Sequence, residues 1–286
     1  MNEKDKIRNW WAENPMVYGS THGKSEFGGQ LYEIGTAAFF ERLDEEFYSW
    51  THWLHEKRPF DRLFPYEQYG NGAKVLEIGC GMGTMAMNWA RNGAQVTAVD
   101  LNPVSIRETQ RRFSLLGLNG SIRLMDGNAL SLPDEHFDYV YSWGVLHHSP
   151  DLERSLAEMM RVLRPGGGFG LMLYQRNSIR YWYRMRYVEA FLHYEGRFLG
   201  PLELASRYTD GEEAEGNPHT WPVTEREVRR MLASEVRDLD CRLFGAELDN
   251  LFKRLVLGLG LVLPLPVRKA WARRFGWSLW ASDHRR

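Results

Sequence analysis

Cysteine is scarce in this sequence. Cys80 and Cys241 are its only two, and no Cys-x-x-Cys occurs, so neither a disulfide framework nor a cysteine metal cluster is expected. No metal site is read from the sequence. A reducing cytoplasm is the expected location, because the polar opening MNEKDKIRNWWAENP lacks the apolar core of a secretory signal. No apolar run approaches the roughly 20 residues that a membrane-spanning helix needs. Charge is balanced as well, with 36 Lys and Arg against 37 Asp and Glu and a net charge of -1, so nothing calls for a nucleic-acid partner. Internal repeats and low-complexity tracts are absent, so no repeat architecture is expected.

What is present fits a folded globular protein. Of the 286 residues, 43% are hydrophobic and 26% charged, enough for one large domain or one domain with an addition. Aromatics make up 13%, suited to a pocket for a flat or greasy ligand and equally to a core.

Four stretches follow from the pattern. Residues 1–71 form an aromatic, charged lead-in expected to be a helical lid or substrate cap. Within it, Phe40, Leu43, Phe47, Trp50 and Leu54 make a helical stripe over 37–57. Residues 72–174 alternate strands and helices: strands at 74–78, 95–99, 121–125, 137–142 and 169–174, helices at 84–91, 103–116 and 152–162. That rhythm predicts an α/β, doubly wound, mostly parallel sheet. Arg164-Pro165-Gly166-Gly167-Gly168 reads as a connector turn. Residues 175–221 break the rhythm as a substrate-side insertion. Residues 222–286 resume it with a helix at 222–234, introduced by the capping-box pattern Thr224-x-x-Glu227, and with strands at 236–244 and 276–281, seven strands in total.

The most informative run is Val75-Leu76-Glu77-Ile78-Gly79-Cys80-Gly81-Met82-Gly83. It follows a predicted strand and opens a helix. Glycines there let the backbone approach a ligand closely, and the helix start offers free N–H groups to an anionic portion of it. Seventeen residues after Gly83, Asp100 ends the second strand, where an acid accepts from a ribose diol. Nicotinamide-binding and S-adenosylmethionine-binding domains share both features.

Five blocks in order decide between them: VLEIGCGMG at 75–83, VTAVDLNP at 96–103, GNALSLP at 127–133, FDYVYSWGVLHH at 137–148 and MMRVLRPGGGF at 159–169. Residues 73–174 thereby resemble the class I S-adenosylmethionine-dependent methyltransferase family, of the ubiquinone/menaquinone-biosynthesis type. The resemblance implies a Rossmann-like, seven-stranded sheet with an antiparallel last strand and S-adenosylmethionine as cofactor. It implies that Glu77 lies near the methionine part and organises the glycine loop. Gly79, Cys80, Gly81 and Gly83 would line the cofactor, Asp100 would hold the ribose, and Leu101 would pack on the adenine. Where the family has Gly-Asp-Ala, this sequence has Gly127-Asn128-Ala129. The Asn128 oxygen still accepts from the adenine amine, without charge assistance. Ser142 and Trp143 fall where the family closes over the sulfonium. Cys80 reads equally as a small apolar filler, and Trp143 as plain packing.

Methyl transfer from a sulfonium is an in-line displacement, which chiefly needs alignment. A base is required only for a protonated nucleophile. His147 and His148, just after the fourth strand, are the candidates, and His219 is another. A fold role for the pair, and transfer with no base, stay open. The acceptor is expected to be a small molecule. Tyr18, His22 and Tyr32 in the lead-in, Arg180 in the insertion and His219 are candidate substrate contacts. Six arginines interleaved with aromatics over 176–208 suit an anionic or aromatic acceptor, or a solvated amphipathic helix. The apolar run 255–267, inside a basic stretch over 253–274, suits a membrane surface, a lipid-like pocket, a homodimer contact or a buried hairpin. A nicotinamide oxidoreductase finds no hydride-site pattern here. A non-catalytic scaffold of the same fold is favoured only by Asn128.

Overall fold

The computed structural model describes residues 3–14, 20–21, 24–27, 30–210, 216–245 and 265–286. Tyr18, His22 and most of the apolar 255–267 run lie outside them. By internal contacts the chain forms two units, residues 8–142 with 158–170, and residues 1–7 with 143–157 and 171–286. No helix among the described residues is long and apolar enough to cross a membrane.

The first unit begins with most of helix α1, Glu3–Glu13, followed by three short strands, β1 Ser20–Thr21, β2 Lys24–Phe27 and β3 Gln30–Glu33. These pair antiparallel in that order. The helical lead-in read from the sequence is therefore only partly helical. Phe27 pairs with Gln30. Helix α2, Ala37–Thr51, is capped by Thr36, whose side chain accepts from the Phe39 N–H, and α3 covers Tyr66–Tyr69.

Next come β4 Lys74–Ile78, α4 Thr84–Arg91, β5 Gln95–Asp100, α5 Pro103–Leu115, β6 Gly120–Leu124 and β7 Phe137–Trp143. β4 pairs parallel with β5 and β7, and β5 with β6. Their apolar runs, such as Val75, Leu76 and Ile78, are buried, as expected for strands covered on both faces. Proline at the first position and Asn102 accepting from the Val104 N–H start α5. Trp89 on α4 packs among Phe64, Tyr66, Tyr139 and Tyr141 with ring centroids 4.7–6.0 Å away.

Helix α6, Leu152–Val162, runs directly into β8, Leu163–Tyr174. The Pro-Gly-Gly-Gly run is thus part of a strand and not a connector. Close neighbours explain the glycines: a Cβ on Gly168 would lie 2.8 Å from the Tyr69 hydroxyl, and one on Gly167 would lie 3.0 Å from the Asp138 carbonyl.

In the second unit, residues 180–192 form a π-helix and α7 covers Pro201–Arg207. Helix α8, Glu225–Met231, carries the predicted capping box, in which Thr224 and Glu227 satisfy each other's backbone N–H. β9 Asp240–Phe244 pairs antiparallel with β10 Ser278–His284, and α9 spans Leu265–Phe275 between them. The seven-stranded order is β6-β5-β4-β7-β8-β10-β9. The α/β, Rossmann-like, mostly parallel sheet expected from the sequence is therefore present. Of its last two strands, β9 starts four residues later than predicted and β10 runs two to three residues further on.

Candidate active site

The loop after β4 is held in a cradle by its own backbone. Gly79, Gly81 and Gly83 have φ of 85°, 52° and 76°, a region that residues with a Cβ rarely adopt. At Gly81 an added Cβ would meet nothing within 4 Å, so this side of the loop is open. At Gly83 it would come 2.7 Å from Thr109. Gly79 and Cys80 donate to the Val99 carbonyl at 2.8 and 3.1 Å. The Cys80 thiol lies 3.8 Å from the Thr109 hydroxyl and is buried, as expected of a small filler.

Asp100 ties this loop to β5. Its Oδ2 accepts from the Gly81 N–H at 2.9 Å and its Oδ1 from the Asn102 N–H at 2.8 Å. A carboxylate offers about four acceptor positions, so these bonds do not exhaust it and it can still accept from a hydroxyl donor. Withdrawal from water pushes its carboxyl above the usual range, against the pull of the Asn102, Gly81 and Leu101 N–H groups.

Glu77 is 2% exposed, and its Oε2 has no hydrogen-bond partner. Burial holds its carboxyl well above the ordinary value, and the nearby charge of Asp100 adds to this. An acid in that position fits a cationic ligand group, whose charge would satisfy the orphan oxygen. Because the folded-state pKa is raised, Glu77 favours folding while protonated and costs stability as pH rises above the unfolded carboxylate range. Glu77→Gln should therefore gain in Tm over the parent as pH goes from about 4 to 7, while losing affinity for a cationic ligand. Thermal melts across that range check the first outcome, and calorimetry the second.

Asn128 is buried, and its N–H donates to Asp126 Oδ1 at 2.8 Å. Asp126 is thus spent on the turn, whose other bond runs from the Ala129 N–H to the Asp126 carbonyl at 2.9 Å. Ser142 is fully buried, and its hydroxyl donates to the Ile78 carbonyl at 2.8 Å. Tyr32 packs on Phe39, Phe40, Leu43 and Met82, which brings it beside the glycine loop. The sequence reading missed the pair that braces this loop. Arg112 of α5 donates to the Met82 carbonyl at 3.0 Å and to the Thr84 hydroxyl at 2.9 Å, and it forms an ion pair with Asp44 of α2. Arg112 lies on the buried face of α5 with Ile106, Thr109 and Phe113, so a charge on an apolar face was the available signal.

The histidines form a separate cluster in the second unit. His147 and His148 lie on a single 3₁₀ turn after β7. His148 Nδ1 is 2.9 Å from the His219 carbonyl oxygen and 2.9 Å from the Thr220 hydroxyl, and Nε2 is 3.1 Å from Asp210 Oδ2. Both ring nitrogens of His148 therefore face protein oxygens. His147 is fully buried, and neither ring nitrogen has a partner. Burial, with the charges of His148 and His219, holds it well below the usual histidine value, so it is neutral. Asp210 Oδ1 accepts from the Tyr174 hydroxyl at 2.9 Å. Burial alone would raise Asp210, but the bonds from His148 and Tyr174 outweigh it and keep the carboxyl below its usual value. His219 contributes its carbonyl, and its ring Nδ1 meets Glu3 at 3.1 Å.

Trp143 lies 6.1 Å from Phe244 and 6.0 Å from Trp280, centroid to centroid, in an aromatic stack. Arg180 sits over the Trp277 ring at 5.2 Å and donates to the Tyr208 carbonyl. Other arginines of the insertion are also matched, Arg176 with Glu227, Arg184 with Glu189 and Arg207 with Glu195.

Comparison with known proteins falls on the same residues. Residues 75–167 match the family model of a methyltransferase domain. Squalene methyltransferase 1 of Botryococcus braunii is 33% identical over 174 residues, 59% of this chain and 43% of that protein. Sterol 24-C-methyltransferase ERG6A of Gibberella zeae is 36% identical over 104 residues, 35% of this chain and 27% of its own length. The chain thus spans less than half the length of these curated relatives. Among solved structures, a SAM-dependent methyltransferase from Methanosarcina mazei aligns with a TM-score of 0.54 at 20% identity, covering 78% of this chain and 98% of its own. The fold is that of SAM-dependent methyltransferases, and the matched segment contains the glycine loop, Asp100 and Asn128. The finer likeness to ubiquinone-pathway enzymes is not among these matches.

Proposed function

We propose that this chain transfers a methyl group from S-adenosylmethionine to a small, predominantly apolar acceptor. The observation that carries the reading is the hydrogen bond from the Gly81 N–H to Asp100, which opens the glycine cradle beside a buried acid, Glu77, with an unused oxygen. When bound, S-adenosylmethionine supplies an electrophilic methyl on a sulfonium. The chain's own residues do the rest. Asp100 uses its remaining acceptor positions for the ribose hydroxyls. Glu77 answers the positive charge of the amino acid end, and Asn128 faces the adenine. Alignment is the main contribution to rate. No histidine is assigned as base, since His148 would first have to break its bond to Asp210 or to the His219 carbonyl.

An apolar acceptor is favoured by the squalene and sterol methyltransferases among the relatives and by the ion pairs that occupy Arg176, Arg184 and Arg207, which leave less positive charge to recognise an anion. The test has two stages. Calorimetry with S-adenosylmethionine should show one site per chain. Turnover to S-adenosylhomocysteine should then appear with polyprenoid or sterol acceptors before aromatic acids. No binding at millimolar cofactor would end the methyltransferase reading. Binding with turnover only on aromatic acids would end the apolar one.

A further inference from the structure

Apart from the cofactor cradle, the described residues hold one group of metal-capable side chains. One ligand atom each from His147, His148 and Asp210 lies within 4.8 Å of the others, and all three residues belong to the same unit. We propose that His147, His148 Nε2 and Asp210 Oδ2 bind a transition-metal dication of the zinc type.

Three features carry this. The first is the state of His147. A fully buried imidazole with both nitrogens unpartnered lacks the hydrogen bonds that buried polar groups nearly always make. A simple ion pair between His148 and Asp210 explains those two residues and leaves His147 unexplained, whereas a metal uses all three. The second is spacing. Two ligands each ~2.1 Å from one tetrahedral dication are about 3.4 Å from each other. His148 Nε2 and Asp210 Oδ2 are 3.1 Å apart.

The third is the surrounding shell. Metal-bound histidines usually donate their other ring N–H to a carbonyl, and ligating carboxylates are themselves hydrogen-bonded. His148 Nδ1 faces the His219 carbonyl at 2.9 Å, and Asp210 Oδ1 accepts from Tyr174 at 2.9 Å. The segment that supplies the carbonyl is itself fixed. Asn217 donates to the Ser206 and Asp210 carbonyls, and its Oδ1 accepts from the His219 N–H and the Thr220 hydroxyl. Two imidazoles and one carboxylate suit zinc or ferrous iron over magnesium or calcium, which prefer all-oxygen sets. Three protein ligands leave a fourth position open, as in catalytic zinc sites.

The proposal is independent of cofactor binding, and its test uses the metal alone. Tag-free protein, stripped with a chelator and dialysed, is titrated with Co²⁺ and Zn²⁺. The expected result is one equivalent of Co²⁺ per chain with a visible d–d band, displaced by Zn²⁺, and a Tm that rises with Zn²⁺. His147→Gln and Asp210→Asn should each weaken Co²⁺ binding at least about 100-fold, and Tyr174→Phe about tenfold, with unchanged far-UV circular dichroism. If a substitution unfolds the chain, the parent decides: no stoichiometric Co²⁺ band and no Zn²⁺-dependent rise in Tm would overturn the site. Equal Co²⁺ affinity in folded His147→Gln or Asp210→Asn would overturn it too.

Discussion

Asp100→Ala should weaken S-adenosylmethionine binding by at least about 100-fold in calorimetry. The substitution removes two things at once. The ribose hydroxyls lose a charged acceptor, worth about 1.5–3 kcal/mol per bond. The Gly81 N–H, now 2.9 Å from Oδ2, loses the partner that aims the loop, so part of the binding energy is diverted to ordering it. Asp100→Asn keeps one carbonyl acceptor and should fall between alanine and the parent. Since Asp100 is strained by withdrawal from water, the alanine variant should melt close to the parent, which separates lost binding from lost folding. Parent-like affinity in Asp100→Ala would remove the basis of the cofactor assignment.

Arg112→Ala should be strongly destabilising, costing about 3–5 kcal/mol and lowering Tm by about 10 °C. Arg112 is 1% exposed. Its loss leaves Asp44, a mostly buried carboxylate, without its cation, and takes a donor from the Met82 carbonyl and the Thr84 hydroxyl. It also removes the guanidinium lying 5.1 Å from the Phe40 ring. The double change Arg112→Met with Asp44→Leu should recover most of the stability, because an apolar pair of similar volume avoids desolvating two charges. Cofactor affinity should not recover with it, since nothing then anchors Met82 in the loop. Chemical denaturation and calorimetry on the two variants check both halves. A single variant as stable as the parent would show that the ion pair contributes nothing.

Much of this was legible from local pattern. The buried strands read correctly because continuous apolar runs bounded by turn residues have few other solutions, and the helix start at Thr224 announces itself through a side chain that accepts from the next turn. The glycine loop and Asp100 were legible because their chemistry is local: a left-handed backbone and an acid at a strand end. Long-range partners were not. Asp210 lies 62 positions from His148, and only the folded chain brings its carboxylate to that ring. Asp44 and Arg112 are 68 apart. The Pro-Gly-Gly-Gly run misled because glycine signals both a turn and a crowded strand, and only Tyr69 and Asp138 beside it tell the two apart.

The outermost strands of the seven-stranded sheet, β6 and β9, share a detail with a colloidal consequence. Each carries an arginine fastened to the residue two before it, Arg123 to Ser121 and Arg242 to Asp240. A partner strand arriving at either rim would have to strip water from a guanidinium, as charged residues on edge strands impose. Fibre growth by edge-to-edge stacking is thereby discouraged at both rims.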